Sequence, residues 1–193
     1  MNRCKTPLRY PGGKSKAIKK LFANFPPLMT YGEYREPFLG GGSVAIAVTK
    51  ANPHLKVWVN DLYWPLYNFW VQLRDNGLQL HDTLWEFKLE YDTPDRAVKL
   101  FNLCKDKLNS DTDDFTKAVS FWVVNKCSFS GLTESSSFSK MASDGNFTLR
   151  GIGDLLYYSN LIKDWKITND SYETLLNADA GTFIYLDPPF WSM

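Results

Sequence analysis

One stretch limits the folds open to this chain more than any other. Residues 33–38 read as a short strand, 42–50 as a helix and 55–60 as a second strand, with Phe38-Leu39-Gly40-Gly41-Gly42-Ser43-Val44-Ala45 at the first junction. Two strands joined through a helix lie parallel, so this unit predicts an α/β fold built on a parallel sheet. The junction fits Gly40-x-Gly42-x-x-Ala45. Glycines there let the backbone approach a ligand and leave the N–H groups of the helix start pointing at it. Asp61 follows the second strand about twenty residues after the first glycine, where a carboxylate can accept from both hydroxyls of a ribose. A tight turn with a capping aspartate is the plainer reading of the same residues.

Helical patterns then run over 66–74, 80–91, 94–108 and 113–125, with Pro94 in a first-turn position. Four helices in succession make an insertion. A helix at 153–162 and strands at 165–168 and 182–186 re-enter the sheet, and the last strand delivers Asp187-Pro188-Pro189-Phe190. Proline fixes φ, lacks an N–H and holds the residue before it extended, so this turn is stiff and its carbonyls are free to accept from outside. A carboxylate, a carbonyl and a ring face suit a planar base carrying an amino group. An ordinary strand-ending turn would look the same.

Composition removes several function classes. The chain has 193 residues, 44% of them hydrophobic and 16% aromatic, enough for a core in one domain with an insertion. No stretch approaches the roughly 20 apolar residues of a membrane span, and the basic N-terminus lacks a signal-peptide core, so a cytoplasmic setting is expected. Cys4, Cys104 and Cys127 are odd in number and far apart, and His54 and His81 are the only histidines. Disulfide framework, zinc site and Ser-His-Asp triad are all short of material. The net charge of +1 hides a segment, residues 1–20, with seven bases and no acid, and another, 82–114, with nine acids against five bases. The first suits an anion such as DNA; the second would turn away from one or is simply a solvated face.

Gly13-Lys14-Ser15 imitates the end of a P-loop, but Leu8 stands where that motif needs glycine. A nicotinamide-dependent oxidoreductase would share the glycine turn and Asp61, and would leave the Asp187 turn without a task.

Taken in order, Pro7-Leu8-Arg9-Tyr10-Pro11-Gly12-Gly13-Lys14, Glu36-Pro37-Phe38-Leu39-Gly40-Gly41-Gly42-Ser43, Val59-Asn60-Asp61-Leu62 and Asp187-Pro188-Pro189-Phe190 resemble the Dam-type (D12 class) adenine-specific DNA N6-methyltransferases. Asn125-Lys126-Cys127-Ser128-Phe129-Ser130-Gly131-Leu132 is similar to the family's Asn-x-x-x-Phe-x-Gly segment, and Ile167-Thr168-Asn169-Asp170-Ser171-Tyr172 resembles its Asp-Phe step after a strand.

The resemblance implies a Rossmann-like S-adenosylmethionine (AdoMet) methyltransferase sheet with a helical DNA-recognition insertion, the catalytic domain being 1–62 with 147–193 and the insertion 63–146. It implies methyl transfer to adenine N6 in double-stranded DNA, with no metal. The methionine end of AdoMet would lie against Tyr10, Lys14 and the Phe38, Gly40 and Gly42 turn, its ribose on Asp61 and its adenine near Asp170. Helix capping is the other reading of Asp170. Asp187 and the Pro188 carbonyl would hold the amino group of a flipped adenine, Pro189 would stiffen the turn and Phe190 would stack on the base. A polar loop at 126–146, with Lys126, Ser128 and Lys140, is expected to reach phosphates and base edges; a flexible serine-rich loop is the alternative. The sequence ends three residues past Phe190 where the family continues, so strands beside the catalytic turn are expected to be missing. A catalytically silent DNA-binding module on the same fold is the competing function.

Overall fold

The computed structural model describes residues 6–131 and 137–189. Strands β1 Glu33–Glu36, β2 Lys56–Asn60, β3 Lys166–Thr168 and β4 Thr182–Ile184 form one parallel sheet in the order β3-β2-β1-β4. This is the Rossmann-like arrangement. The winding reverses between β1 and β4, and ligands of such sheets bind at the carboxyl ends of the strands beside that reversal.

Contacts divide the chain into two compact units. Of the described residues, the sheet unit holds 6, 13–67 and 161–189, and the helical unit holds 7–12 and those between 68 and 160. Helix α1 Ile18–Phe22 and helix α2 Ser43–Ala51 belong to the first. Helix α3 Trp64–Asp75 carries the chain across the first boundary. Helices α4 Gly77–Glu90, α5 Pro94–Leu108, α6 Asp114–Cys127 and α7 Lys140–Asn146 belong to the second, and α8 Leu149–Leu161 leads back.

In the sheet unit the period of two along β1 sends Tyr34 and Glu36 to one face and Arg35 to the other. Register aligns Arg35, Trp58 and Lys166 in one row, with the Arg35 guanidinium 4.7 Å and the Lys166 ammonium 3.3 Å from the centre of the Trp58 ring. The strand stops at Glu36, short of the 33–38 expected, because Pro37 has no N–H for the ladder. Likewise β4 ends at Ile184, although the Tyr185 N–H still donates to the Arg35 carbonyl at 2.9 Å. Gly42 opens α2 from a left-handed conformation, and the helix buries Val44, Ala45, Ile46 and Val48.

In the helical unit α6 is buried over its last ten residues, as a central helix should be. Across from it α5 presents Ala97, Leu100, Phe101 and Cys104, a spacing that puts one apolar stripe inward. Thr93 and Asp113 cap α5 and α6 by accepting from the N–H groups of Arg96 and Thr116. Residues 7–12 are strapped to α6. The Trp122 indole donates to the Pro7 carbonyl at 3.1 Å, and Asn125 both accepts from the Arg9 N–H at 2.9 Å and donates to the Arg9 carbonyl at 2.7 Å.

The polar stretch 126–146 is less of a loop than expected. Helix α6 runs on to Cys127, Ser128 pairs with Phe138 in an antiparallel bridge, and Ser139 caps the additional helix α7 by accepting from the Ala142 N–H. Side-chain oxygen chemistry started this helix in a segment whose composition reads as coil.

Among the described residues, no helix is long and apolar enough to cross a membrane, and no group of three or more His, Cys, Asp or Glu side chains is placed to hold a metal. Cys104 and Cys127 are free buried thiols, pushed up by burial to about 12 and about 11.

Candidate active site

Four strand exits in the sheet unit carry the polar groups. After β1 the chain enters the glycine turn, where Gly40 has φ 50° and Gly42 φ 69°, conformations that a side chain would strain. Asp61, at the exit of β2, fastens this turn: its Oδ2 accepts from the Gly40 N–H at 2.8 Å and its Oδ1 from the Tyr63 N–H at 3.0 Å. Burial pushes the Asp61 carboxyl up, against those two bonds, which pull it down. Each carboxylate oxygen retains acceptor capacity for another donor, such as a ribose hydroxyl. The segment ahead of α1 is tied to the same turn. The Lys14 N–H donates to Ser43 Oγ at 3.1 Å, and the Thr6 hydroxyl donates to the Gly41 carbonyl.

Beneath the turn lies Glu36, only 3% exposed. Burial pushes its carboxyl up to about 8, and Asp187 and Asp61 add to the rise; bonds from the Tyr34 hydroxyl, at 2.6 Å, and from the Ala45 N–H oppose it. The acid therefore stays protonated through neutral pH. From sequence alone Glu36 carries no assigned role, because a strand-end acid beside proline looks exposed. The available signal was its place on the same face as Tyr34, inside the period-two pattern.

At the exit of β4, Asp187 Oδ2 meets the Lys14 ammonium at 2.5 Å, with the side chains 33% and 31% exposed. Pro188 and Pro189 are exposed, and Phe190 lies outside the described residues. Tyr185, two residues earlier, is pushed up to about 12 by burial and by the charges of Asp187 and Glu36. At the exit of β3, Asp170 is exposed, and Ser171 rather than Asp170 precedes the short helix Tyr172–Leu175, so capping does not account for it. Phe38 and Tyr172 bring their ring centres to 5.3 Å.

The sheet unit thus gathers Lys14, Phe38, Gly40, Gly42, Asp61, Asp170 and Asp187. Tyr10 belongs to the helical unit and is 40% exposed. Of the residues expected to meet DNA, Lys140 is exposed at the start of α7. Lys126 and Ser128 are not on a surface. Lys126 is 8% exposed with its ammonium 5.1 Å from the centre of the Trp122 ring, and burial, then repulsion from Arg9, lowers it to about 8. Ser128 is fully buried, and its carbonyl accepts from the Arg9 guanidinium at 2.6 Å. Both follow from α6 extending past its expected end. Asn125 also donates to the Gly131 carbonyl at 2.8 Å, and Gly131 sits at φ 75°, where a Cβ would come within 2.7 Å of Arg9.

A glycine turn for close backbone approach, an acid for a diol and an exposed acid for an aminopurine fit AdoMet, while the Lys14 ammonium, expected to meet the cofactor carboxylate, is paired with Asp187. Comparison with known proteins points the same way. Residues 10–192 match the family model of the D12 class N6 adenine-specific DNA methyltransferase. The chain is 25% identical over 196 aligned residues to the Type II methyltransferase M.MjaIII of Methanocaldococcus jannaschii, covering 95% of this chain and 68% of that protein. It is 24% identical over 200 aligned residues to a DNA adenine methylase of Serratia marcescens, covering 95% of this chain and 66% of that one. The chain spans about two thirds of the length of these relatives.

Proposed function

Because the chain belongs to the D12 class N6 adenine-specific DNA methyltransferase family, we propose that it methylates the N6 of an adenine turned out of duplex DNA, with AdoMet as donor and Asp187 at the reacting centre. When bound, AdoMet supplies an electrophilic methyl group on a sulfonium. The residues of this chain do the rest by geometry and electrostatics.

Asp187 accepts one N6 hydrogen and the Pro188 carbonyl the other, which draws the nitrogen lone pair out of ring conjugation and aims it along the transfer axis. Once N6 has gained the methyl group it carries a surplus proton, and the Asp187 carboxylate is the acceptor beside it. Lys14 orients that carboxylate through its ion pair. The Asp61 carboxylate takes the ribose hydroxyls, and the Asp170 carboxylate takes the adenine amine of the donor. Phe190 stacks on the target base, where stacking on an aromatic ring contributes roughly 1–3 kcal/mol against an extrusion cost of a few kcal/mol. Lys140, exposed on α7, is a phosphate contact.

The observation that carries this reading is the meeting of Asp187 with Lys14 at the switch of winding between β1 and β4, in the unit that also holds the glycine turn on Asp61. It is tested by incubating the chain with labelled AdoMet and unmethylated duplex DNA and assaying for N6-methyladenine. Label is expected in adenine for the wild type and to disappear in Asp187→Ala. Label at cytosine, or unchanged transfer in the variant, would refute the chemistry. Binding of the cofactor product S-adenosylhomocysteine (AdoHcy) without any transfer would favour a silent DNA-binding module.

A further inference from the structure

Asn60 is the last residue of β2, 1% exposed, and its side chain uses its whole hydrogen-bonding capacity on the two neighbouring strand exits. Its Nδ2 donates to the Pro37 carbonyl at 3.2 Å and to the Asp170 carbonyl at 2.9 Å. Its Oδ1 accepts from the Asp170 N–H at 2.9 Å and from the Thr168 hydroxyl at 2.8 Å. Both backbone polar groups of Asp170 are therefore held by one amide, while the Asp170 carboxylate stays exposed. The backbone of Asn60 adds a fifth tie, its carbonyl accepting from the Leu39 N–H at 2.9 Å.

A buried amide so placed has an apolar alternative in most strands. Asn60 shares its face of β2 with Trp58 rather than with Val57 and Val59, and a valine there would be buried at far lower desolvation cost. What the amide adds is a fixed relation between two loops that no strand ladder joins at that point: the Pro37 to Gly42 turn and the Asp170 loop.

We infer that Asn60 is a positioning residue for the purine end of the cofactor, holding the Asp170 carboxylate at the place where it accepts from the adenine amine. This rests on the proposed AdoMet site. It concerns selectivity for the adenine ring rather than the transfer step, since Asn60 touches neither reacting group.

The test is calorimetric titration of the full chain with two probes, AdoHcy and its deaminated analogue S-inosylhomocysteine, which has an oxygen in place of the purine amine. Wild type binds AdoHcy more tightly than the inosyl compound. Asn60→Ala and Asp170→Ala each lower AdoHcy affinity by about tenfold to a hundredfold, the range of one hydrogen bond to a charged group, and leave the inosyl compound nearly unchanged. The double variant loses no more than either single one. Thr168→Val removes one of the bonds to Oδ1 together with the acceptor of the Trp58 indole at 3.0 Å, gives the same selective loss at a few-fold scale and keeps the inference testable where Asn60→Ala misfolds. General damage to the fold would instead weaken both probes alike. That outcome overturns the inference, as do unchanged AdoHcy affinity in the variants and additive losses in the double variant. If wild type binds neither probe, the cofactor site itself is wrong and the inference goes with it. If wild type binds both equally, Asp170 does not read the amine, and the cofactor site survives without this role for Asn60.

Discussion

Lys14 reaches Asp187 across the strand exits of the sheet unit, nitrogen to oxygen at 2.5 Å, linking residues 173 positions apart in sequence. An ion pair about one third exposed contributes little to stability, about 0–1 kcal/mol. Its value is directional. Lys14→Gln is expected to lower single-turnover methyl transfer by about tenfold to a hundredfold, equivalent to about 1.4–2.8 kcal/mol of barrier, while thermal unfolding moves by only a few degrees. Lys14→Arg retains most of the rate. Rapid-quench measurement of N6-methyladenine checks both.

Glu36 gives the sheet unit a pH dependence of definite sign. Its carboxyl, pushed up to about 8 by burial, keeps its proton in the folded state while the unfolded carboxyl loses it near the ordinary value of 4.5. The unfolded state then binds fewer protons, so this residue's contribution is fully present below about 4.5 and is lost as pH rises toward 8. Glu36→Gln is expected to flatten that decline, seen by comparing urea midpoints of the two proteins at several pH values. A variant that loses stability in parallel with wild type over this window would contradict the protonated state.

Lys126 works in the opposite direction. Its folded value of about 8 lies below the ordinary 10.5, so the folded state releases a proton that the unfolded state keeps, and stability rises with pH between the two. Lys126→Met removes a buried charge and keeps the contact with Trp122. Expected are a higher urea midpoint at pH 7, loss of the rise between pH 8 and 10, and unchanged DNA affinity. Lys140→Ala should instead weaken DNA binding and reduce its salt dependence by about one phosphate contact.

Asn125 is 1% exposed and serves residues 9 and 131 through three bonds. Asn125→Ala leaves buried backbone groups without partners and is expected to cost roughly 2–4 kcal/mol, measured by chemical denaturation. Asn125→Asp keeps the acceptor for the Arg9 N–H but sets a charge against two carbonyls, and should be no better tolerated.

The parallel sheet and the glycine turn were legible because they rest on local chemistry: period-two strands, a helix start that needs left-handed glycine at position 42, and an acid at position 61. The positions of Asp61 and Asp187 at strand ends were legible for the same reason, whereas Asp170, after the short strand Lys166–Thr168, came only from the family resemblance. Asn60 and Glu36 were not legible. Their burial depends on what packs over a strand end: the start of α2 covers Glu36, and the β3 exit, 110 residues further on, closes over Asn60. Lys126 and Ser128 misled because serine-rich composition signals coil, whereas the apolar residues of α6 carried the helix through Cys127 into the interior. The helix α7 shows the same limit, its start set by the single hydroxyl of Ser139.

The strap at residues 7–12 makes the helical unit depend on both ends of a long interval. The indole of Trp122 and the amide of Asn125 spend their bonds on Pro7 and Arg9, so a piece cut out at 68–160 would leave these polar atoms facing an empty trough. Grafting the helical unit onto another protein would require carrying over the donor's opening residues as well, and swaps made at the helix boundaries alone should yield insoluble chimaeras.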